Sequence, residues 1–237
     1  MVDYTVWLLV SSAIIVCVSW CQPRRLAPKV MHMVYCRSDD RCTQAQGASD
    51  GMGQHQSAFT EEELEDYQEL TYFTKSEIIL AHQRFKMLAP DVVSTDRNAK
   101  LPMDKILNMP ELSVNPFRDR ICKVFSSSKD GTMTFEDFLD MMSVFSDKAP
   151  RSVKTEYAFQ IFDFNEDDML SPEDMKQIIN RLTHRGGQVL MEHEIKQLVA
   201  NILKEADLDE DRLLAYAEFE HAISKAPDFM NSFRIHL

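Results

Sequence analysis

Between Val153 and Ile223 the apolar residues fall into four stripes at helical spacing. Val153, Tyr157, Ile161 and Phe162 form the first, and Met175, Ile178, Ile179 and Leu182 the second. Ile195, Leu198, Val199 and Ile202 form the third, and Phe219, Ala222 and Ile223 the fourth. Steps of three and four residues place each set on one side of an α-helix. An acidic stretch separates the first stripe from the second, and another separates the third from the fourth. The pattern is therefore helix, loop, helix, written twice.

Upstream, the punctuation of helices is equally dense. Thr60-Glu61-Glu62-Glu63 and Thr74-Lys75-Ser76-Glu77 both fit the capping box, in which a threonine hydroxyl and a glutamate three residues on satisfy free backbone amides. Two helices are predicted to start there. Asn115-Pro116 predicts an N-cap followed by proline at the first helical position, launching FRDRICKVF. Pro90 to Pro102 is predicted as a polar loop, with a short helix from Met103 to Asn108 behind it. Pro150 and Gly186-Gly187 supply further breaks. No alternating apolar run is long enough for a sheet, so the body is predicted all-α, with at most two-residue strands inside loops.

The two acidic loops carry the chemistry. DFNEDDMLSPED, Asp163 to Asp174, places Asp163, Asn165 and Asp167 at positions 1, 3 and 5, Met169 at 7, Ser171 at 9 and Asp174 at 12. DLDEDRLLAYAE, Asp207 to Glu218, places Asp207, Asp209, Asp211, Leu213, Ala215 and Glu218 at the same positions. Both resemble the EF-hand loop, where odd-numbered oxygens converge on a hard cation, position 7 offers a backbone carbonyl and position 12 closes the shell. Duplication 44 residues apart, with matched apolar flanks, argues against two solvated acidic turns. Leu170 and Leu214, at position 8, suit the short backbone pairing that sets two such loops side by side.

Neither loop is ideal. Position 6, where glycine adopts a left-handed backbone, holds Asp168 and Arg212, and the arginine should cost about 1 kcal/mol. Arg212 also brings positive charge, so the second loop is expected to bind more weakly than its carboxylates suggest. Asp174 is a methylene shorter than glutamate, which disfavours bidentate closure around seven-coordinate Ca2+ and favours six-coordinate Mg2+ in the first loop. A third loop, SSSKDGTMTFED from Ser126 to Asp137, keeps Gly131 at position 6 but has serine at positions 1 and 3, so no metal is expected there. The Pro90 to Pro102 connection lacks even the shape. The expected architecture is four EF-hand helix-loop-helix units in two paired lobes: a metal-silent pair over 52–148, and a metal-binding pair with a tail helix over 149–237.

Composition narrows the partners. The chain has 237 residues, 44% of them hydrophobic, and a formal net charge of −12. From Met52 onward it carries 21 Lys+Arg against 34 Asp+Glu, which argues against nucleic acid and for cations or basic peptides. Cys17, Cys21, Cys36 and Cys42 all precede that body and leave Cys122 alone in it, so no internal disulfide framework is expected. P-loop, nucleophile elbow and zinc-ligand cluster are all absent from the sequence, and an enzyme is not expected.

The leading segment raises a separate question. VWLLVSSAIIVCVSWC, Val6 to Cys21, is shorter than the roughly 20 residues of a spanning helix. It reads either as a weak N-terminal anchor or as part of a variable, polar- and Cys-rich leader over residues 1–51. Met52, Gly53 and Ser57 then spell the M-G-x-x-x-[ST] pattern of N-myristoylation, which requires Gly53 to become a chain terminus. On that expectation translation starts at Met52, and a lipid on Gly53 holds the protein at the inner face of a membrane.

LEDYQELTYFTKSEI, the MPEL and NPFRDRICKVFS runs, FEDFLDMMSVFSDKAPRSVKTEYAFQIFDFN, EADLD and EFEHAISKAPDFMNSFRIHL together resemble the calcium- and integrin-binding protein family, from about Met52 to Leu237. The resemblance implies four EF-hand units with only the third and fourth occupied, Asp174 closing the third, and in some members a myristoylated start. It implies an adaptor for α-integrin cytoplasmic tails and other membrane-proximal helices. Such helices dock in an apolar groove. The residues expected to line it are Phe125, Phe135, Phe138, Leu139, Met142, Phe145, Ile178, Leu182, Leu198 and Ile202. Each also fits plain core. Behind Pro227-Asp228, the residues Phe229, Met230, Phe233 and Leu237 form an amphipathic tail expected either to plug the groove until displaced or to dock permanently. A Ca2+ buffer without regulated partner binding is the alternative.

Overall fold

The computed structural model describes residues 59–185, 190–226, 229 and 233–235. The Val6 to Cys21 segment, Gly53, Met230 and Leu237 lie outside the described residues. Eleven helices occupy the described residues: α1 (Glu61–Leu70), α2 (Lys75–Leu88), α3 (Pro90–Val93), α4 (Met103–Ile106), α5 (Pro110–Ser113), α6 (Arg118–Phe125), α7 (Phe135–Val144), α8 (Arg151–Phe162), α9 (Pro172–Arg185), α10 (Glu192–Ala206) and α11 (Tyr216–Ser224).

Local sequence accounts for most of the starts. Thr60 and Thr74 each accept from the amide of the glutamate three residues on, and those glutamates accept from the threonine amides, closing both capping boxes. Thr134 and Asp137 form a third box at the start of α7. One start is displaced from its expected place. Asn115 Oδ1 accepts from Phe117 N at 2.8 Å, an Asx turn that delays α6 to Arg118. Pro116 therefore stands before the helix and not at its first position.

Pro90 to Pro102 also departs from the expected plain loop. It opens with the helical turn α3 and ends on Leu101, which makes an antiparallel bridge to Met133. Leu101 N donates to Met133 O at 2.8 Å and Met133 N to Leu101 O at 2.9 Å. Tertiary pairing, invisible to loop composition, thus ties this connection to the Ser126 to Asp137 loop. An equivalent bridge, Leu170 to Leu214, joins the two acidic loops through N–O contacts of 2.9 and 3.0 Å. Among the described residues these bridges are the entire β structure.

In the packing, α1 lies on α2 and α2 on α7, while α9 lies on α10 and α10 on α11. α6 and α8 pack together and link the two halves, and one buried cluster runs from Phe59 to Ile235. α8 sits in the middle and is covered on more than its expected stripe. Lys154, Thr155, Ala158, Phe159, Ile161 and Phe162 are buried, whereas Val153 and Tyr157 are only half-buried. A helix with neighbours on two sides hides two faces, and one of them here carries a lysine.

Candidate functional site

The Ser126 to Asp137 loop, in which no metal is expected, satisfies its own ligand positions. Ser126 Oγ donates to Thr132 O at 2.6 Å, and Ser127 N and Oγ both donate to the Asp137 carboxylate at 3.2 Å. Gly131 there has φ +83°, a left-handed backbone that would strain a side chain, and a Cβ would have to displace the flexible end of Met103.

In the Asp163 to Asp174 loop the first and last carboxylates organise the backbone. Asp163 Oδ1 accepts from Glu166 N at 2.7 Å and its Oδ2 from Asp168 N at 2.9 Å. Asp174, 2% exposed, accepts from Phe164 N at 3.1 Å and from Ser171 N and Oγ at 3.0 and 2.6 Å. Asn165 and Asp167, at positions 3 and 5, are joined at 2.7 Å, and Asp167 also holds Met169 N at 3.0 Å.

The second loop repeats this arrangement. Asp207 accepts from Glu210 N and Arg212 N at 2.7 and 2.8 Å, Asp211 from Leu213 N at 2.7 Å, and Glu218 from Leu208 N and Ala215 N at 2.7 and 3.0 Å. Asp207, Asp209 and Asp211 bring carboxylate oxygens within 4.8 Å of one another, the one cluster of that kind among the described residues. The Asp211 amide stabilises the Asp209 carboxylate, yet desolvation and the charges of Asp211, Glu218 and Asp207 outweigh it and raise the Asp209 pKa. Three crowded anions with oxygen donors fit a hard divalent cation, which would remove that repulsion. Ala215 at position 9 contributes no side-chain oxygen.

Position 6 is left-handed in both loops, as its place in the pattern requires: φ is +63° at Asp168 and +68° at Arg212. Position 4 is left-handed too, at Glu166 (+61°) and Glu210 (+64°), which the motif reading missed. Each acidic loop therefore holds two side chains in a conformation that glycine would adopt more cheaply.

Of the residues expected to line a groove, Phe125, Phe135, Phe138, Leu139, Met142 and Phe145 are buried in one core cluster, and Ile178, Leu182, Leu198 and Ile202 pack against it. Phe135 and Phe138 belong to an aromatic cluster with Phe59, Tyr67, His82 and Phe85 between α1, α2 and α7. Leu139 and Met142 are fully buried, and Ile178, Leu182, Leu198 and Ile202 are half-buried against the core. Phe125 stacks on Tyr157 at 4.5 Å and neighbours Phe145 at 5.8 Å.

Phe145 is where the tail arrives. Phe233 stacks on it at 4.5 Å, Phe229 lies 5.5 Å from Phe233, and Ile235 N donates to Phe145 O at 2.8 Å. Phe229, Phe233 and Ile235 are all buried. Two basic residues of α8 hold this end of the chain. Lys154 Nζ, fully buried, donates to Phe233 O at 2.5 Å, and Arg151 donates to Ile223 O and to Ala226 O, the latter at 3.1 Å. Burial pushes the Lys154 pKa down to about 8. Sequence reading missed Lys154 and Ile235; a lysine one step outside an apolar stripe gives no signal of burial. Cys122 is buried as expected of a packing residue, and burial raises its thiol to about 12.

Two helix-loop-helix units, joined through one antiparallel bridge and presenting oxygens at positions 1, 3, 5 and 12, define an EF-hand protein, and residues 153–224 match the family model of the EF-hand domain pair. The chain is 44% identical over 190 residues to calcium and integrin-binding family member 2 of Danio rerio and of Homo sapiens, covering 78% of this chain and all of each relative. It is 45% identical over 190 residues to member 3 of Homo sapiens, with the same coverage. The chain belongs to the calcium and integrin-binding family, whose members bind calcium and are not catalysts.

Proposed function

We propose that this protein is a Ca2+- and Mg2+-binding adaptor that receives an amphipathic, membrane-proximal helix such as an α-integrin cytoplasmic tail. The observation that carries the metal reading is the convergence of Asp207, Asp209 and Asp211. Asp163, Asn165, Asp167, Ser171 and Asp174 would hold the ion in the first loop, with the Met169 carbonyl. Asp207, Asp209, Asp211 and Glu218 would hold it in the second, with the Leu213 carbonyl. A bound cation supplies charge neutralisation and fixes the angle between the flanking helices. The short Asp174 closes the first loop on Mg2+ in resting cells, and Ca2+ competes there at a disadvantage.

The names of the relatives support an integrin-type partner. The aromatic seat around Phe145 supports a helical one, because the chain's own Phe229 and Phe233 already occupy it with helix-type spacing. The tail is displaced when a partner binds. A lipid on Gly53, if Met52 is the start, would place this at the inner face of a membrane. Among the described residues no helix is long and apolar enough to cross one.

The test is a Ca2+ titration of the metal-free protein at cell-like Mg2+, following heat and the fluorescence of an apolar-surface dye together. Uptake with new apolar exposure is expected for the adaptor. Uptake with no exposure, and no competition by an integrin-tail peptide, would leave the Ca2+ buffer as the function.

A further inference from the structure

The first acidic loop is gripped from outside its own EF-hand. Glu166, at position 4, is not in a ligand position, and its Oε1 accepts from Arg120 Nη1 at 2.9 Å and from Lys123 Nζ at 2.8 Å. Arg120 and Lys123 belong to α6, which leads into the Ser126 to Asp137 loop. Arg120 is 5% exposed and spends its remaining N–H groups on backbone: Gln160 O at 3.0 Å, Ile161 O at 3.4 Å and Asp163 O. Those carbonyls end α8 and begin the loop, and they have no partner further along the helix. A planar five-donor guanidinium can serve all three and still reach a carboxylate; an ammonium cannot.

The same helix end holds position 2. The Phe164 ring lies 5.7 Å from the Arg120 guanidinium and 4.8 Å from that of Arg181, and Arg181 is tied to Asp119 of α6 by contacts of 2.6 and 2.9 Å. Positions 1, 2 and 4 of the loop are thus fastened to α6. In the second loop Glu210 occupies position 4 in the same left-handed conformation, yet among the described residues it makes no ion pair. The left-handed turn alone does not create the grip.

We infer that Arg120, Lys123 and Glu166 form a clamp that holds the Asp163 to Asp174 loop in its metal-ready shape before an ion arrives, and that carries occupancy of that loop to α6 and so to the silent pair. The inference rests on the metal-binding reading of this loop. Arg120 is a positioning residue: it touches carbonyls and a carboxylate that are not ligands. With the grip released, the metal must order the loop itself and binds more weakly.

The experiment is a Ca2+ titration of the full chain read by peptide-resolved amide exchange, which follows each loop and α6 separately. Wild type is compared with Glu166→Gln, an exposed change that leaves the core intact. Glu173→Gln is the charge control, because Glu173 sits in the same loop, is exposed and makes no ion pair among the described residues. Glu166→Gln should weaken Ca2+ at the first loop about fivefold, speed exchange of amides 163–168 in the metal-free protein, and abolish the Ca2+-dependent slowing of amides 118–125. Glu173→Gln should weaken Ca2+ by about twofold or less and leave that slowing in place. Equal weakening by Glu166→Gln and Glu173→Gln would mean that only net charge matters and would overturn the clamp. Ca2+-independent exchange of α6 in wild type, with the loop itself responding, would overturn the coupling alone. No response of either acidic loop in wild type would overturn the metal reading and the clamp with it.

Discussion

Replacing Arg212 separates two effects that the second loop combines. The residue is exposed, at position 6, with φ +68°. Its left-handed backbone costs about 1–2 kcal/mol, and a glycine there would recover this less the roughly 0.5–1 kcal/mol of extra chain entropy that glycine loses on folding. The net gain for Arg212→Gly over Arg212→Ala is about 0.5–1 kcal/mol, which for a chain of this size raises the melting temperature by roughly 1–4 °C. Charge acts elsewhere. At about 8 Å in water a unit charge and a divalent ion repel by about 1 kcal/mol, and physiological salt cuts this to about 0.4, roughly a twofold change in affinity. The left-handed turn is held from within the loop, by Arg212 N donating to Asp207 Oδ2 at 2.8 Å, so its strain belongs to the fold of the loop and cancels from binding. Both variants should therefore tighten Ca2+ at the second loop about twofold, while the glycine variant alone melts higher. Calorimetric titration and scanning of the metal-free proteins measure the two quantities. A glycine variant that melts no higher than the alanine variant, or that binds tenfold more tightly than it, would refute the reasoning.

Three further outcomes are expected. Asp174→Glu lengthens the closing carboxylate, so competition calorimetry should show the first loop moving from Mg2+ toward Ca2+; an unchanged preference would mean that Asp174 does not set it. Phe233→Ala removes the ring stacked at 4.5 Å on Phe145, at a cost of about 3–5 kcal/mol to the docked tail, and should strengthen binding of an amphipathic helical peptide; lower melting with no gain in binding would make the tail plain core. Lys154 has its pKa lowered from 10.5 to about 8 by burial, so below pH 8 its charge carries the full penalty, about 3 kcal/mol, and above that the unfolded chain holds the extra proton and stability rises with pH. Denaturant unfolding from pH 7 to 9 should show wild type gaining on Lys154→Met, in which Cys122 and the tyrosines are unchanged; parallel curves would rule out the buried titration.

What could be read from sequence were the features that repeat at fixed chain spacing. The helix stripes, the capping boxes at Thr60 and Thr74 and the twelve-residue loops are local, each decided by residues within one or two turns of one another, and they follow from the 3.6-residue period and from the need to satisfy free amides at helix starts. Leu170 and Leu214 belong with them, because two loops of one pattern bring the same position to the same bridge. The left-handed backbone at Asp168 and Arg212 follows from the pattern in the same way.

Contacts that depend on what lies across the core could only come from the tertiary structure. Leu101 reads as the end of a polar loop until Met133 is found opposite it, and Phe135 reads as groove lining until α1 and α2 close over it. Lys154 and Arg120 look like solvent-facing charges, because a helix in isolation has an outside. In the folded chain α8 has neighbours on both flanks, and the two basic side chains, taken from water, are offset by main-chain carbonyls of Phe233 and of Gln160 to Asp163. Spacing along the chain fixes which oxygens can meet a cation. Which charges hold those loops and the tail in place depends on burial, a property of the assembled chain.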